Sequence, residues 1–128
     1  MKKILIAAAL ATVVSGAFAT EVAAITGQTN KSSTTVINSG AAPSAAGTCS
    51  LLSSAVTINS SVANNGSIDC NDALANVGVA FANTSGKNNI YSASSAGGGI
   101  TVTSTGSSVP TAGQLTTQSA AASAGGSS

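Results

Sequence analysis

The chain has 128 residues, of which four are lysine, three are acidic and none is histidine, arginine or tryptophan. Histidine is the commonest general base and metal ligand, and so few cations cannot neutralise a run of phosphates. The composition therefore argues against an enzyme, a bound metal or cofactor, and a nucleic-acid partner, and the length allows one small domain.

Residues 1–19 have the pattern of a secretory signal peptide. Two lysines precede an apolar run, Ile4–Val14, and Ala17-Phe18-Ala19 fits the small-x-small cleavage rule. The run is shorter than the roughly 20 residues that a stable membrane span needs, and a buried N-terminal helix is the alternative. We expect cleavage between Ala19 and Thr20, no stable span afterwards, and a secreted protein in the extracellular space or at the cell surface, with the periplasm as the alternative.

Residues 20–48 are predicted to form an arm and linker rich in Ser, Thr and Ala. One β-prone patch, Thr34–Ile37, is followed by residues 40–47, whose Gly, Ala, Pro and Ser content is typical of a linker. The patch is thereby detached from the predicted core. We expect copies of the protein to associate through strand edges, either at Val36 and Ile37 of this arm, which are the assembly candidates, or at an exposed strand of the central region.

Cys49 and Cys70 are the only cysteines of the chain. Two cysteines in an exported protein predict a disulfide bond. A metal site would lack ligands without histidine, and a thiol without a nearby base is poorly activated. The bond is worth about 3 kcal/mol, a large contribution in a domain with so few large apolar residues.

Residues 49–104 hold nearly all the side chains that could form a core, and they are predicted to be rich in β-strands. Apolar alternation predicts strands around Val56, Val79 and Ile100, and a shorter one at Ile90-Tyr91. In the second strand the larger side chains share one face and the smaller ones the other; these are Val77, Val79 and Phe81 against Gly78, Ala80 and Ala82.

In the strand near Ile100, we expect Ile100 and Val102 to face inward and the two threonines, Thr101 and Thr103, to face outward. Turn residues separate the strands at positions 64–66, 85–88 and 97–99. The one indication of a helix within this region is Asp69–Asn76, with Asp69 or Asn71 as its N-cap. It would span one or two turns.

The predicted fold is mainly β: a small antiparallel sandwich or partial barrel pinned by the disulfide. Strand candidates recur at a roughly regular spacing, which also suits a short β-solenoid. Solenoids usually stack Asn or Gly at fixed offsets, whereas these residues are irregularly placed here. The antiparallel arrangement is therefore favoured, with a flexible N-terminal arm and C-terminal tail.

Residues 105–128 form a low-complexity tail whose only large apolar side chains are Val109 and Leu115. Ordering the chain costs about 1–2 kcal/mol per residue, which two such side chains cannot offset. We therefore expect the tail to be mobile unless a partner orders it.

Asp69 and Asp72 are the only carboxylates of the central region, and their oxygens could serve as calcium ligands. Their spacing does not match an EF-hand loop, and a capped turn beside the disulfide explains them at least as well. Thr101 and Thr103 similarly indicate an ice- or sugar-binding face, although threonine is common on exposed strand faces.

The function favoured by these patterns is that of a secreted bacterial structural protein, such as a fimbria, filament, coat or matrix subunit. After cleavage, two lysines oppose three carboxylates, so the side-chain charge is −1. Near-zero charge and unpaired strand edges favour association, and the expected partner is a second copy. The alternative is a monomeric secreted binding module for sugar, ice or calcium.

Overall fold

The computed structural model describes residues 19–27, 32–86 and 88–125. The signal-peptide prediction falls on residues 1–18, which lie outside the described residues, and cleavage after Ala19 stays a prediction. The first strand begins at Thr20, the residue expected to follow the cleavage site.

The described residues form eight strands and one helix, and most strand pairs are antiparallel. A five-stranded sheet has the order β1-β5-β6-β7-β8, and a smaller sheet has the order β3-β2-β4. The only parallel pair is β2–β3 among these strands. The predicted fold class is confirmed, and the antiparallel ladders do not correspond to the solenoid alternative. The elements are β1 Thr20–Ile25, β2 Ser33–Ser39, β3 Thr48–Cys49, β4 Val56–Ser60, β5 Asn64–Asn71, β6 Asn76–Asn83, β7 Asn89–Ser94, β8 Thr101–Ser104 and α1 Ala112–Ser123.

The two faces of the large sheet carry different side chains, as strand alternation requires. Ile68 lies opposite Val79 in the β5–β6 ladder, and the next pair along joins Asp69 to Gly78. The larger apolar side chains pack toward the small sheet, whereas the small and polar ones face α1. The predicted division of β6 into a large-residue face and a small-residue face is thus confirmed.

Two apolar cores lie on either side of the large sheet. The first, between the sheets, includes Val22, Ile25 and Ile37 together with the disulfide. The second, under the helix, consists of Ala80, Ala82, Ile90 and Leu115.

The predicted disulfide between Cys49 and Cys70 is confirmed. Both cysteines are buried, and the S–S distance is 2.01 Å. Because Cys49 ends β3 and Cys70 belongs to β5, the bond joins the small sheet to the large one.

The prediction of a detached arm does not hold for β1 and β2. β1 pairs with β5 along the edge of the large sheet, and β2 lies in the middle of the small sheet. Ile37 is only 2% exposed, whereas Val36 points to solvent. The physical reason is that residues 49–104 alone supply too few large side chains, so the core recruits them from the segment before the linker.

The predicted turn at residues 64–66 and the predicted helix over Asp69–Asn76 are both wrong. Residues Asn64–Asn71 form β5, which has β1 on one side and β6 on the other. The two asparagines that suggested a turn have partners next to β5: Asn64 Oδ1 accepts a hydrogen bond from the side chain of Asn83, and Asn65 Oδ1 accepts one from the amide of Gly27. Asn71 does act as a cap, but of a turn, since its Oδ1 accepts a hydrogen bond from the amide of Leu74 at 3.1 Å.

The structure also departs from the expected mobile tail, because Ala112–Ser123 forms α1. Thr111 is the N-cap of a complete capping box with Gln114. Leu115, Ser119 and Ser123 are at most 1% exposed. The physical reason is that α1 is held by close packing of Ala and Ser on the small-residue face of β5 and β6, so it needs few large apolar side chains.

Candidate functional site

Strand β8 is the open edge of the large sheet. It pairs with β7, with Tyr91 opposite Val102, and no other described strand pairs with it. One residue beyond the strand, the amide of Thr105 donates to the carbonyl of Asn88 at 2.8 Å. Because bonded and non-bonded pairs alternate along an antiparallel ladder, the backbone N–H and C=O of Val102 point away from β7. They are available to another strand.

An apolar surface lies beside this edge, and we call Phe81, Tyr91, Ile100 and Val102 the apolar shelf. Phe81 is its half-buried inner end and packs against the core between the sheets. Phe81, Tyr91 and Val102 form a row across β6, β7 and β8. Ile100 precedes β8 by one residue, and strand alternation places it on the side of Val102. Ile100 is 71% exposed, Val102 54% and Tyr91 46%. None of the four side chains carries a charge.

The predicted orientation of the last strand, β8, is wrong. Thr101 and Thr103 are half-buried toward α1, and Thr103 Oγ1 lies 3.4 Å from Gln118 Oε1. Ile100 and Val102 instead face solvent. The reason is that α1 already covers the threonine side, while the small sheet packs over β5 and β6 and stops short of β7 and β8.

The opposite edge of the large sheet is protected. The β1–β5 register shifts between Glu21 and Ala23, which marks a bulge at Val22. The carbonyl of Val22 accepts a hydrogen bond from the amide of Gly47 at 2.7 Å. Bulges and covering loops are common ways of blocking an edge, so β8 is the accessible one.

An apolar cleft opens between the two sheets, with a volume of about 120 Å³. Val56 is 40% exposed and marks the side on which the cleft meets solvent. All the lining residues are aliphatic or belong to the disulfide; they are Ile37, Cys49, Leu52, Val56, Ile58, Ile68, Cys70, Val77 and Val79.

A buried carboxylate, Asp69, lies between β5 and α1. Its Oδ2 accepts a hydrogen bond from the hydroxyl of Ser119, whose Oγ is 3.0 Å from Ser67 Oγ. Burial raises the pKa of Asp69 above its ordinary value; the bond from Ser119 opposes this, and the charge of Glu21 adds to it. Glu21 itself accepts from Thr116 Oγ1 at 2.8 Å, so two carboxylates of the sheet bind hydroxyls of the helix.

Asp69→Asn is expected to flatten the pH dependence of stability. Since the pKa of Asp69 is raised on folding, the free energy of unfolding should fall as the pH rises through the raised pKa. Asparagine stays neutral, so the variant should be more stable than the wild type at neutral pH. Chemical denaturation at a series of pH values measures this, and parallel profiles for both proteins would contradict it.

Asp72 provides the matched control because its pKa shift has the opposite sign. Hydrogen bonds from Ser50 and Ser44 lower the pKa of Asp72, so it stabilises the fold above its ordinary pKa and the contribution is lost as the pH falls. Ser50 Oγ lies 2.6 Å from Asp72 Oδ1, and the Ser44 amide 2.6 Å from Oδ2. Asp72→Asn should therefore reduce stability at neutral pH.

The residues considered above as calcium ligands and as an ice- or sugar-binding face are not arranged as such sites. Asp69 and Asp72 bind different sets of serine residues, and no group of three or more His, Cys, Asp or Glu residues lies within metal-binding reach in the part of the chain that the structure describes. Thr101 and Thr103 face α1, so they do not form an outward hydroxyl pair.

Sequence reasoning missed the shelf because it assigned Ile100 and Val102 to the core. One signal could have found it: Gly97-Gly98-Gly99 before Ile100 places a large aliphatic residue next to a loop rather than inside a long strand. Within residues 19–27, 32–86 and 88–125, no helix is both long and apolar enough to cross a membrane. None of the family models, curated proteins or solved structures compared with the chain matches it.

Proposed function

We propose that the protein is an exported structural subunit that assembles with copies of itself outside the cytoplasm. The observation that carries the proposal is the open edge of β8 next to the apolar shelf. A buried structural disulfide is typical of proteins that work outside the reducing cytoplasm, and Cys49–Cys70 fits that setting.

Strand addition at β8 would use both the backbone and the shelf. The N–H and C=O of Val102 would gain partners in a neighbouring strand, as in other β-augmentation interfaces. Burial of a large apolar side chain is worth about 1.5–3 kcal/mol. Tyr91, Ile100 and Val102 together therefore supply several kcal/mol, comparable to the cost of association, which is roughly 4 kcal/mol or more.

Charge does not oppose this contact. β8 has the sequence Thr-Val-Thr-Ser, and no charged residue lies in it. Native edge strands often carry a lysine that prevents pairing between copies, and β8 lacks that protection.

Val102→Lys is expected to abolish association, because it places a charge where the shelf meets the open edge. We would purify exported wild-type protein, confirm that its N-terminus is Thr20, and measure its size by sedimentation and electron microscopy. Val102→Pro is a second, uncharged variant; it removes the outward N–H but leaves the β7–β8 hydrogen bonds, since proline is tolerated at such edge positions.

Val62→Lys is the matched control. Val62 is 42% exposed and lies in the turn between β4 and β5. The substitution therefore makes the same chemical change as Val102→Lys at a position away from the β8 edge. The control should assemble like the wild type. A wild-type protein that stays monomeric at high concentration, or a Val102→Lys variant that assembles normally, would contradict the proposal.

A monomeric wild type would favour the alternative of a secreted sugar-binding module. A groove of about 490 Å³ between β8 and α1 is lined largely by hydroxyl and amide side chains, among them Thr103, Gln114, Thr117 and Gln118. Such groups suit a polyhydroxylated ligand. The groove contains no aromatic ring for a sugar to stack on, and for this reason we place it second.

A further inference from the structure

We propose that the apolar cleft between the two sheets is the acceptor for Ile100 of a second copy. The inference rests on the proposed self-assembly. It identifies the surface on the second copy that receives Ile100 of the shelf. It makes the contact one between two different patches of the molecule.

The donor is the most exposed large apolar side chain described. Ile100 is 71% exposed and follows Gly97-Gly98-Gly99. Gly97 has a φ of 102°, and a Cβ added at Gly97 or at Gly99 would meet no atom within 4 Å. The loop therefore projects from the body of the protein, and the described residues leave most of the Ile100 side chain open to a partner.

The acceptor matches this side chain in chemistry and size. Its lining is entirely apolar, and Val56 lies at its opening. A cavity of about 150 Å³ is enough to hold benzene, so a cleft of about 120 Å³ suits the four-carbon side chain of isoleucine. A polar or charged group entering it would lose its hydration without gaining a hydrogen bond.

The cleft is also continuous with the surface already assigned to assembly. Val77 and Val79 line the cleft from β6, and Phe81, on the same face of that strand, belongs to the shelf. The cleft and the shelf therefore lie on the same face of the large sheet. The donor and the acceptor need not compete for the same atoms.

A contact between two different patches leaves each pair with one unused donor and one unused acceptor. Such contacts add further copies in an open chain unless the rotation between them closes a ring. A symmetric contact between two β8 edges would instead stop at a dimer. A contact made in one direction thus gives chain growth, whereas a two-fold pair that makes it in both directions closes as a dimer.

The test uses two variants that each remove one side of the contact. Ile100→Asn removes the donor, and Val56→Asn places an amide at the mouth of the cleft. Each is expected to raise the concentration needed for half-association by about tenfold or more. Val109→Asn is the control, since Val109 is 50% exposed in the loop before α1 and should assemble like the wild type.

Mixing the two variants separates this contact from a symmetric pairing of two β8 edges. The Ile100→Asn protein keeps an intact cleft and the Val56→Asn protein keeps an intact Ile100, so one productive contact remains between them. Sedimentation of the mixture should show a two-copy species that neither variant forms alone.

The failures of the two proposals are distinguishable. If Val102→Lys blocks assembly while Val56→Asn assembles like the wild type, the copies pair through β8 and the cleft is not the acceptor. If the wild type is monomeric at every concentration, both the proposed function and this inference are wrong. Thermal denaturation of each variant shows whether it is folded, and Val56→Phe, which fills the cleft with an apolar ring, replaces Val56→Asn if the amide unfolds the protein.

Discussion

Replacing both Cys49 and Cys70 by serine is expected to lower the free energy of unfolding by about 3 kcal/mol. The disulfide bond joins β3 to β5, and both cysteines are buried. Its loss removes the covalent link between the two sheets and also raises the conformational entropy of the unfolded chain. Denaturant titration under oxidising conditions measures the change.

Reduction of the wild type is the control for this experiment. A thiol reductant should bring the wild type close to the double variant and leave the double variant unchanged. Equal stabilities of the oxidised wild type and the variant would show that the two sheets are held by side-chain packing alone.

Gly78→Ala is expected to destabilise the protein by about 1–3 kcal/mol, the usual cost of overpacking. Gly78 lies in β6 directly under α1, and a Cβ there would overlap the carbonyl oxygen of Ser119 and the amide nitrogen of Ser123. Backbone atoms cannot avoid the overlap by a change of rotamer, so the whole helix must move away from the sheet.

Gly113→Ala is the matched control, because Gly113 lies in the first turn of α1 and a Cβ there would meet no atom within 4 Å. Alanine favours helix over glycine by about 0.5–1 kcal/mol, so this variant should be slightly more stable. Denaturation curves compare the two, and a Gly78→Ala protein as stable as the wild type would mean that α1 does not approach β6 this closely.

Strand alternation and the cysteine pair were enough to predict the fold class and the disulfide. The β6 segment shows why: its large and small side chains alternate without interruption, so either face could be assigned from the sequence. What the alternation could not show is which face meets which partner. That depends on α1, and the sequence of α1 has too few large apolar residues to predict that it packs.

The orientation of β8 also depends on α1, and this explains why Ile100 and Val102 were wrongly predicted to face inward. Ile100 and Val102 alternate with threonine like any half-buried strand, and inward orientation is the usual interpretation. Here the helix occupies the threonine side, and the core between the two sheets includes residues of β5 and β6 but none of β7 or β8. The apolar side is left uncovered for a reason that lies outside the strand itself.

The hydrogen bond between Glu21 and Thr116 has a consequence for the order of folding. It joins the first strand to the last helix, and both elements pack on β5 in the middle of the chain. Contacts so distant in sequence form late, since they close long loops. Any process that threads this chain with its N-terminus first must therefore deliver residue 116 before Glu21 can accept this hydrogen bond. Until then the face of β5 that carries Asp69 lacks the helix that covers it.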